Sequence, residues 1–421
     1  MAGARPQVLV LGGNFAGLQV AQQLRELVGA LADITVVDKK PYLLFVPNIP
    51  LEVLADHDPA ISLHLQLPEL LQRDAIQFAL AEVREIDPER RTVTVTPSER
   101  PGAAPEVLPY DYLVIALGAR LAFDCITGFA QHGHTVSDTY YGNRLRHYLY
   151  RGAYRGGPVA VGSARFHQGQ ANDLVPQALA ACEGPVVEMA LSLGSWLWQR
   201  QMGGPDRVTL FTPASLIAED AGTQVVDHLL QMASGMGYHY RNNVQDIASL
   251  DADGVEFADG TSVEAELKVV FPDWVPHPFL RGLPISDDRG FVVTDRLMRN
   301  PRYANVFAAG DAAALSVPKI GSIAHEEAGV VARQIAKDLG RLSADVADVP
   351  THLDVFCIGD MGDGQAFYIN SDSWYGGPKQ ALRVGRVPNI LKTQYKEIFF
   401  RRHGKVPPWS MSIAAWLAEH T

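Results

Sequence analysis

Cysteine is scarce: Cys125, Cys182 and Cys357 are the only three in 421 residues. Three thiols do not make a disulfide framework, so a reducing compartment is the expected setting. Cys182 and Cys357 lie 175 residues apart, too far for a metal knuckle or a C-x-x-C redox motif, and no metal site is expected. No stretch approaches the ~20 apolar residues of a spanning helix. Arg5-Pro6 leads directly into Val8-Leu9-Val10-Leu11 with nothing like a signal peptide. Positive charge is also short, and a formal charge of −11 argues against nucleic acid as a bulk electrostatic partner. The length exceeds what one core sustains, about 250–300 residues. These bounds describe a multi-domain cytoplasmic protein.

What is present begins at residue 7. Gln7 to Leu11 reads as a buried strand running into Gly12-Gly13-Asn14-Phe15-Ala16-Gly17. Leu18, Ala21, Leu24, Leu27 and Val28 then recur at helical spacing, and a second strand, Ile34 to Val37, ends in Asp38. This is the βαβ fingerprint of a dinucleotide site. The turn brings backbone close to a pyrophosphate at the helix N-terminus, and the acid accepts from a ribose hydroxyl. Asn14 replaces the middle glycine, and asparagine's tolerance of left-handed backbone is expected to preserve the turn.

Further pieces follow in order. A strand pattern from Ile76 to Thr96 turns at Asp87-Pro88-Glu89-Arg90. Tyr110 to Ala119 is an aromatic and apolar strand closed by Gly118, and Asn305 to Gly310 delivers Asp311 at a turn before a helix. The middle of the chain repeats the plan in degraded form. Gly157 to Gly162 is strand and turn, the helix from Val186 to Leu193 comes late, and Val208 to Phe211 is a second strand. Ser163-Ala164-Arg165-Phe166-His167 replaces the second glycine fingerprint, and Thr212-Pro213 stands where a ribose-binding acid is wanted. This half reads as a nucleotide domain that has lost its nicotinamide site.

Cys182 precedes the late helix, where dipole and free N–H groups are expected to lower its pKa. The competing reading is that all three cysteines are inert, small, buried residues. From Ser373 to Ala418 there are eight Lys or Arg (Lys379, Arg383, Arg386, Lys392, Lys396, Arg401, Arg402, Lys405) and one acid, Glu397. Trp374, Tyr375, Tyr395, Phe399, Phe400, Trp409 and Trp416 are interleaved with them. Basic and aromatic residues so mixed suit a monotopic, peripheral attachment to a membrane. The alternative is a solvated helix whose aromatics pack on the core.

Together these pieces resemble the sulfide:quinone oxidoreductases, in their archaeal-type branch, over nearly the whole chain. The carrying residues are Gly12-Gly13-Asn14-Phe15, Phe166-His167-Gln168-Gly169, Ala181-Cys182-Glu183-Gly184-Pro185, Gly310-Asp311-Ala312, Val317-Pro318-Lys319, Phe356-Cys357 and Trp374-Tyr375-Gly376-Gly377. The resemblance implies an α/β fold of two Rossmann-like dinucleotide-binding domains, glutathione-reductase-like, with a small C-terminal membrane-attachment segment. Residues 1–120 with 285–345 would bind FAD, 121–284 would be the second domain, and 346–421 would meet quinone and membrane.

By the same resemblance FAD would contact Gly12, Asn14, Phe15, Ala16, Gly17, Asp38, Lys39, Pro47, Ala116, Gly118, Gly310, Asp311 and Lys319. Cys182 and Cys357 would be the persulfide-forming redox pair, with Lys319 stabilising the reduced flavin, and Phe356, Trp374 and Tyr375 would form the quinone slot. The family's third cysteine aligns with Ser137, and Cys125 would be a shifted equivalent or a bystander. Sulfide, a membrane quinone and a homo-oligomer are the implied partners. The rival readings are a type II NADH:quinone oxidoreductase, a flavocytochrome c sulfide dehydrogenase and a non-catalytic flavoprotein sensor.

Overall fold

The computed structural model describes residues 4–100, 102–170, 173–406, 413 and 415–417. In chain order, β1 (Gln7–Leu11) leads into α1 (Phe15–Val28), then β2 (Asp33–Asp38) and, after a β-rich excursion, β3 (Tyr112–Ile115). Next come β4 (Val159–Ser163), α2 (Gly184–Gln199), β5 (Val208–Phe211), β6 (Leu267–Phe271) and β7 (Val306–Ala308). They are followed by α3 (Gly321–Asp338), β8 (Val355–Gly362), β9 (Gln365–Ser371), β10 (Gln380–Gly385) and α4 (Arg386–Arg401).

Seven strands make the first sheet, in the order β7, β3, β1, β2, Gln77–Asp87, Thr92–Pro97 and Glu106–Pro109. The first five pair in parallel and the last two add antiparallel. Parallel strands covered on both faces must be apolar throughout, and Val8, Val10, Val36 and Val114 are buried. The apolar spacing seen in the sequence puts Leu18, Ala21, Leu24 and Val28 of α1 in the core, against α3. The turn at residues 87–90 joins two long strands, as its residues imply.

A second sheet, wholly parallel, runs Gly133–His134, β6, β4, β5, His239–Arg241. Every residue of β4 and β6 is buried. The turn-rich stretch after residue 244 forms the antiparallel strands Ile247–Leu250, Gly254–Phe257 and Ser262–Glu264. The third sheet, β8-β9-β10, is antiparallel and packs against α2 and α4.

A helix does follow the turn at Asp311: a short 3-10 helix, Gly310–Ala312, then α3 from Gly321, with Ser316 between them held by Glu327 at 2.7 Å. Two expectations need correction. Asn14 is extended (φ −85°), and the left-handed residue of the turn is Gly12 (φ +97°). In the C-terminal segment, most of the aromatic residues described on α4 turn inward. The Phe399 ring lies 5.8 Å from Phe15 and 5.2 Å from Phe45, and Tyr395 lies 5.7 Å from Phe45. Lys396 pairs with Glu52 at 2.8 Å, Lys405 with Glu26 at 2.9 Å and Asp74 at 3.2 Å, and Lys392 with Glu188 at 2.9 Å. Burying aromatic area outweighs leaving it at the surface, and these three lysines are neutralised in place, while Arg383, Arg386 and Arg402 stay exposed. Trp409 lies outside the described residues. No helix among the described residues is long and apolar enough to cross a membrane.

Candidate active site

Gly12 ends β1 and hands the chain to α1. A methyl group on it would meet the Ala116 carbonyl oxygen at 2.2 Å, and one on Gly17 would meet the Gly12 oxygen at 1.9 Å. Only glycine allows this close approach. The first turn of α1 carries no acidic residue, Asn14 provides no side-chain cap, and its buried Oδ1 has no partner among the described residues. Asp38 accepts from the Gly13 N–H at 2.7 Å and the Lys40 N–H at 2.9 Å, which fixes it beside the turn. Beyond β3, Gly118 has φ +67° and open space where a side chain would stand. Ligands of such sheets bind beyond the strand ends, where the strand order reverses, which here is between β1 and β3. Free helix donors and an orphaned amide oxygen fit the pyrophosphate and adenosine end of FAD.

At the other end, Gly310 donates its N–H to Glu327 at 2.7 Å. Lys319 is buried, donates to the Ala313 oxygen at 2.8 Å, and lies 4.4 Å from the Phe291 ring centroid. Burial pushes its pKa down, opposed by Asp311, Glu327 and Asp287. Burial pushes Asp311 up to about 6, with Lys319 opposing. A cation held among carboxylates can neutralise negative charge appearing beside it. The Phe15 ring joins the Phe45–Phe399 cluster, and Lys39 and Pro47 are exposed.

The two distant cysteines meet at the N-terminus of α2. Cys182 lies two residues before Gly184, and a methyl group on Gly184 would stand 2.8 Å from the Cys357 sulfur. Cys357 is carried on β8 opposite Ile369, and the Lys319 N–H donates to the Ala181 oxygen at 2.8 Å. Fold contacts thus gather Cys182, Cys357 and Lys319 into one region. The expected drop in the Cys182 pKa is reversed. Burial raises it well above its ordinary value, with Asp220, Cys357 and Asp311 adding to the rise and the Gly184 N–H opposing. Desolvation and carboxylates outweigh one helix end. Cys357 is pushed up to about 12 by burial, with Lys392 opposing and Glu188 and Asp220 adding.

Cys125 is exposed on the short helix Phe123–Cys125, and it is not among the groups that face either thiol. Phe356 points to the opposite face of β8 from Cys357 and packs edge-on against Tyr368. The Tyr375 hydroxyl donates to the Val317 oxygen, and its short helix lies against the one that carries Asp220. Trp374 has a buried indole N–H without a partner among the described residues.

Sequence reasoning missed two acids. Glu183, buried, accepts from the Ser163 hydroxyl at 2.6 Å and the Ala218 N–H at 2.7 Å. It also bonds the Thr212 hydroxyl, and burial pushes it up to about 7 against these bonds. It therefore ties β4 to the end of β5, at the positions of the missing glycine turn and ribose acid. Asp220, pushed up to about 6 by burial, faces both thiols. Glu183 could have been suspected from its place in Ala181-Cys182-Glu183-Gly184-Pro185. Asp220 is brought in by the fold alone.

Comparisons with known proteins agree with this architecture. Residues 6–328 match the family model for pyridine nucleotide-disulphide oxidoreductases. A sulfide-quinone reductase of Aquifex aeolicus is 24% identical, over 95% of this chain and 92% of that protein. The X-ray structure of the sulfide:quinone oxidoreductase from that bacterium superposes with a TM-score of 0.83 at 22% identity, covering 99% of this chain and 96% of the other. A type II NADH:quinone oxidoreductase of Mycobacterium tuberculosis is 31% identical, but over only 32% of this chain and 28% of its own. The chain belongs to the pyridine nucleotide-disulphide oxidoreductase family, and it is an oxidoreductase whose cofactor is FAD.

Proposed function

We propose that the protein is a sulfide:quinone oxidoreductase in which Cys182 and Cys357 handle sulfur and a membrane quinone receives the electrons. The observation that carries this reading is the meeting of the two thiols at the N-terminus of α2, beside a Glu183 carboxylate that ties the end of β4 to the segment after β5. Glu183 is the residue just before α2, and a carboxylate there would repel the phosphates of a nicotinamide dinucleotide. The near full-length likeness to a protein named sulfide-quinone reductase supports the same choice, since it spans 95% of the chain, whereas NAD(P)H-type relatives match from 32% to 77% of it.

FAD, when bound, accepts an electron pair from the thiol side and returns it to the quinone. The residues do the rest. Cys182 and Cys357, joined by a disulfide or a longer sulfur chain, are opened by hydrosulfide, which leaves a persulfide on one and a thiolate on the other. Asp220 faces both sulfurs and is placed to take a proton from incoming hydrogen sulfide. Lys319 and Asp311 would hold the cofactor's polar ends. Phe356 and Trp374 remain the quinone residues, Trp374 with a free donor for a carbonyl. Tyr375 has committed its hydroxyl to Val317. The membrane is met by the outward side of α4, where Ile390 is 57% and Ile398 47% exposed and Arg383, Arg386 and Arg402 are exposed nearby.

Anaerobic flavin absorbance tests the reading. Sulfide should bleach the band, a short-chain quinone should restore it, and NADH should leave it unchanged. Cys182→Ala and Cys357→Ala should each remove the sulfide response. Bleaching by NADH and not by sulfide would replace the proposal with the NADH-dependent activity.

A further inference from the structure

The second sheet carries a cavity of about 320 Å³ that has no part in the scheme above. It lies beside the edge strand Gly133–His134 and the first residues of β6. The thiols are at the other end of that sheet, where Glu183, next to Cys182, bonds the last residue of β4. The helix Thr139–Tyr150 turns Arg144, His147 and Tyr148 toward the cavity from one face, at spacings of three and four residues. His134 and Lys268 come from paired strands of the sheet, and His132 from the turn before the edge strand. Among the described residues no group of three His, Cys, Asp or Glu could hold a metal ion, so these histidines do not form a metal centre.

Lys268 and His134 are each only 3% exposed. The Lys268 ammonium points its donors at the carbonyl oxygens of Asp251 at 2.8 Å, Ala265 at 3.0 Å and Ala252 at 3.4 Å. It therefore gives the cavity charge but no free N–H, and the acids facing it are Asp251, Asp253 and Glu266. Glu266 lines the cavity, yet its carboxylate already accepts the Arg155 N–H at 2.7 Å and the Gly157 N–H at 2.6 Å. Arg144 donates to the Ala130 and Gln131 oxygens, which leaves the rest of its five N–H groups for a ligand. His147 is exposed, with Nε2 3.2 Å from the Arg146 guanidinium. The His134 ring lies 4.7 Å from that of Tyr148 and donates to the Lys268 backbone. Burial first, then Arg144, push its pKa down to about 3, so the ring is neutral. A neutral imidazole has one donor and one acceptor. The acceptor is then Nδ1, which is buried and has no partner among the described residues. Such an atom is costly to leave unmet.

We propose that this cavity binds the phosphate group of a small anion, held by Arg144, His132 and His147 and completed by a hydrogen bond from the phosphate's own hydroxyl to His134 Nδ1. The unmet acceptor decides the class of anion. Phosphate keeps an O–H near neutral pH. Sulfate has the same tetrahedral shape but no proton, and it would set an oxygen lone pair against that of Nδ1. The volume is at the lower end of small-molecule sites, about 300–1,000 Å³, and so admits a short monoester as well as the free ion. None of these residues faces either thiol, and the site is independent of the sulfide-oxidising reading.

Isothermal titration calorimetry of the FAD-loaded protein, at pH 7 and constant ionic strength, tests this with inorganic phosphate, glycerol phosphate and sulfate as probes. Bound flavin keeps the probes out of its own pyrophosphate site. Phosphate should bind roughly tenfold more tightly than sulfate, the penalty of leaving a buried acceptor unmet. His134→Leu removes the acceptor and keeps an apolar filling, and it should bring the ratio of the two affinities close to one. His147→Ala, at an exposed position, should weaken both ions several-fold and leave their ratio as it was. Absence of binding, equal binding of phosphate and sulfate to the wild type, or a ratio unmoved by His134→Leu overturns the proposal. Undiminished affinity in His147→Ala overturns it too, and that arm holds even if the His134 variant fails to fold. With phosphate preferred over sulfate, tighter binding of glycerol phosphate than of phosphate supports a monoester as the occupant, and the reverse supports the free ion.

Discussion

Glu183 shows how a single buried side chain can tie together the ends of two neighbouring strands. Its carboxylate sits where burial favours the protonated form, at about 7 against an ordinary 4.5. A carboxyl raised by folding stabilises the protein fully below 4.5 and loses that contribution as pH rises through 7. Each tenfold change in proton affinity is worth about 1.4 kcal/mol. Urea denaturation should therefore show the wild type losing roughly 2–3 kcal/mol relative to Glu183→Gln between about pH 5 and 7.5. A difference that stays level, or grows, would show that the carboxyl is ionised throughout. At this scale the sequence was only partly readable. Gly12 and Asp38 announce themselves by spacing, and the two cysteines only through the family resemblance. Glu183, Asp220 and Glu188 gain meaning from partners on other elements, 20 to 204 positions away in the case of Ser163 and Lys392.

The elements were more legible, because burial imposes a period. The parallel strands appear as apolar runs and α1 as a helical stripe, and both were read correctly. α4 was harder, since the same mixture of Phe, Tyr and Lys serves a membrane face or a core face equally well. The structure divides the residues: Phe399 and Tyr395 turn inward, while Ile390 and Ile398 point out. Exposed apolar side chains among cations are what a membrane surface recognises. The double substitution Ile390→Glu with Ile398→Glu should thus cut binding to anionic vesicles several-fold in a co-sedimentation assay and leave the melting temperature nearly unchanged. Undiminished binding would place the attachment elsewhere. The turn at Asn14 failed as an element-level reading for a local reason. Gly12 already supplies the left-handed residue, so the position after Gly13 is free to be extended.

For the whole molecule, two Rossmann-like units were implied by the order of motifs, three of them spread over three hundred residues, whereas the antiparallel sheet β8-β9-β10 was not. What the order of motifs does not convey is how the layers are tied. The Glu188–Lys392 contact joins the helix that starts at Cys182 to the last long helix of the described chain, across the strand that carries Cys357. That tie restricts modularity. A hybrid that takes its middle third from an NADH-type relative, and keeps its own C-terminal quarter, would leave Lys392 buried without its counter-ion. Breaking a buried pair from one side costs about 3–5 kcal/mol. Such hybrids should express poorly unless both segments are exchanged together, and the paired exchange should recover soluble yellow protein. Descent would meet the same restriction, so that the two segments change hands as one cassette.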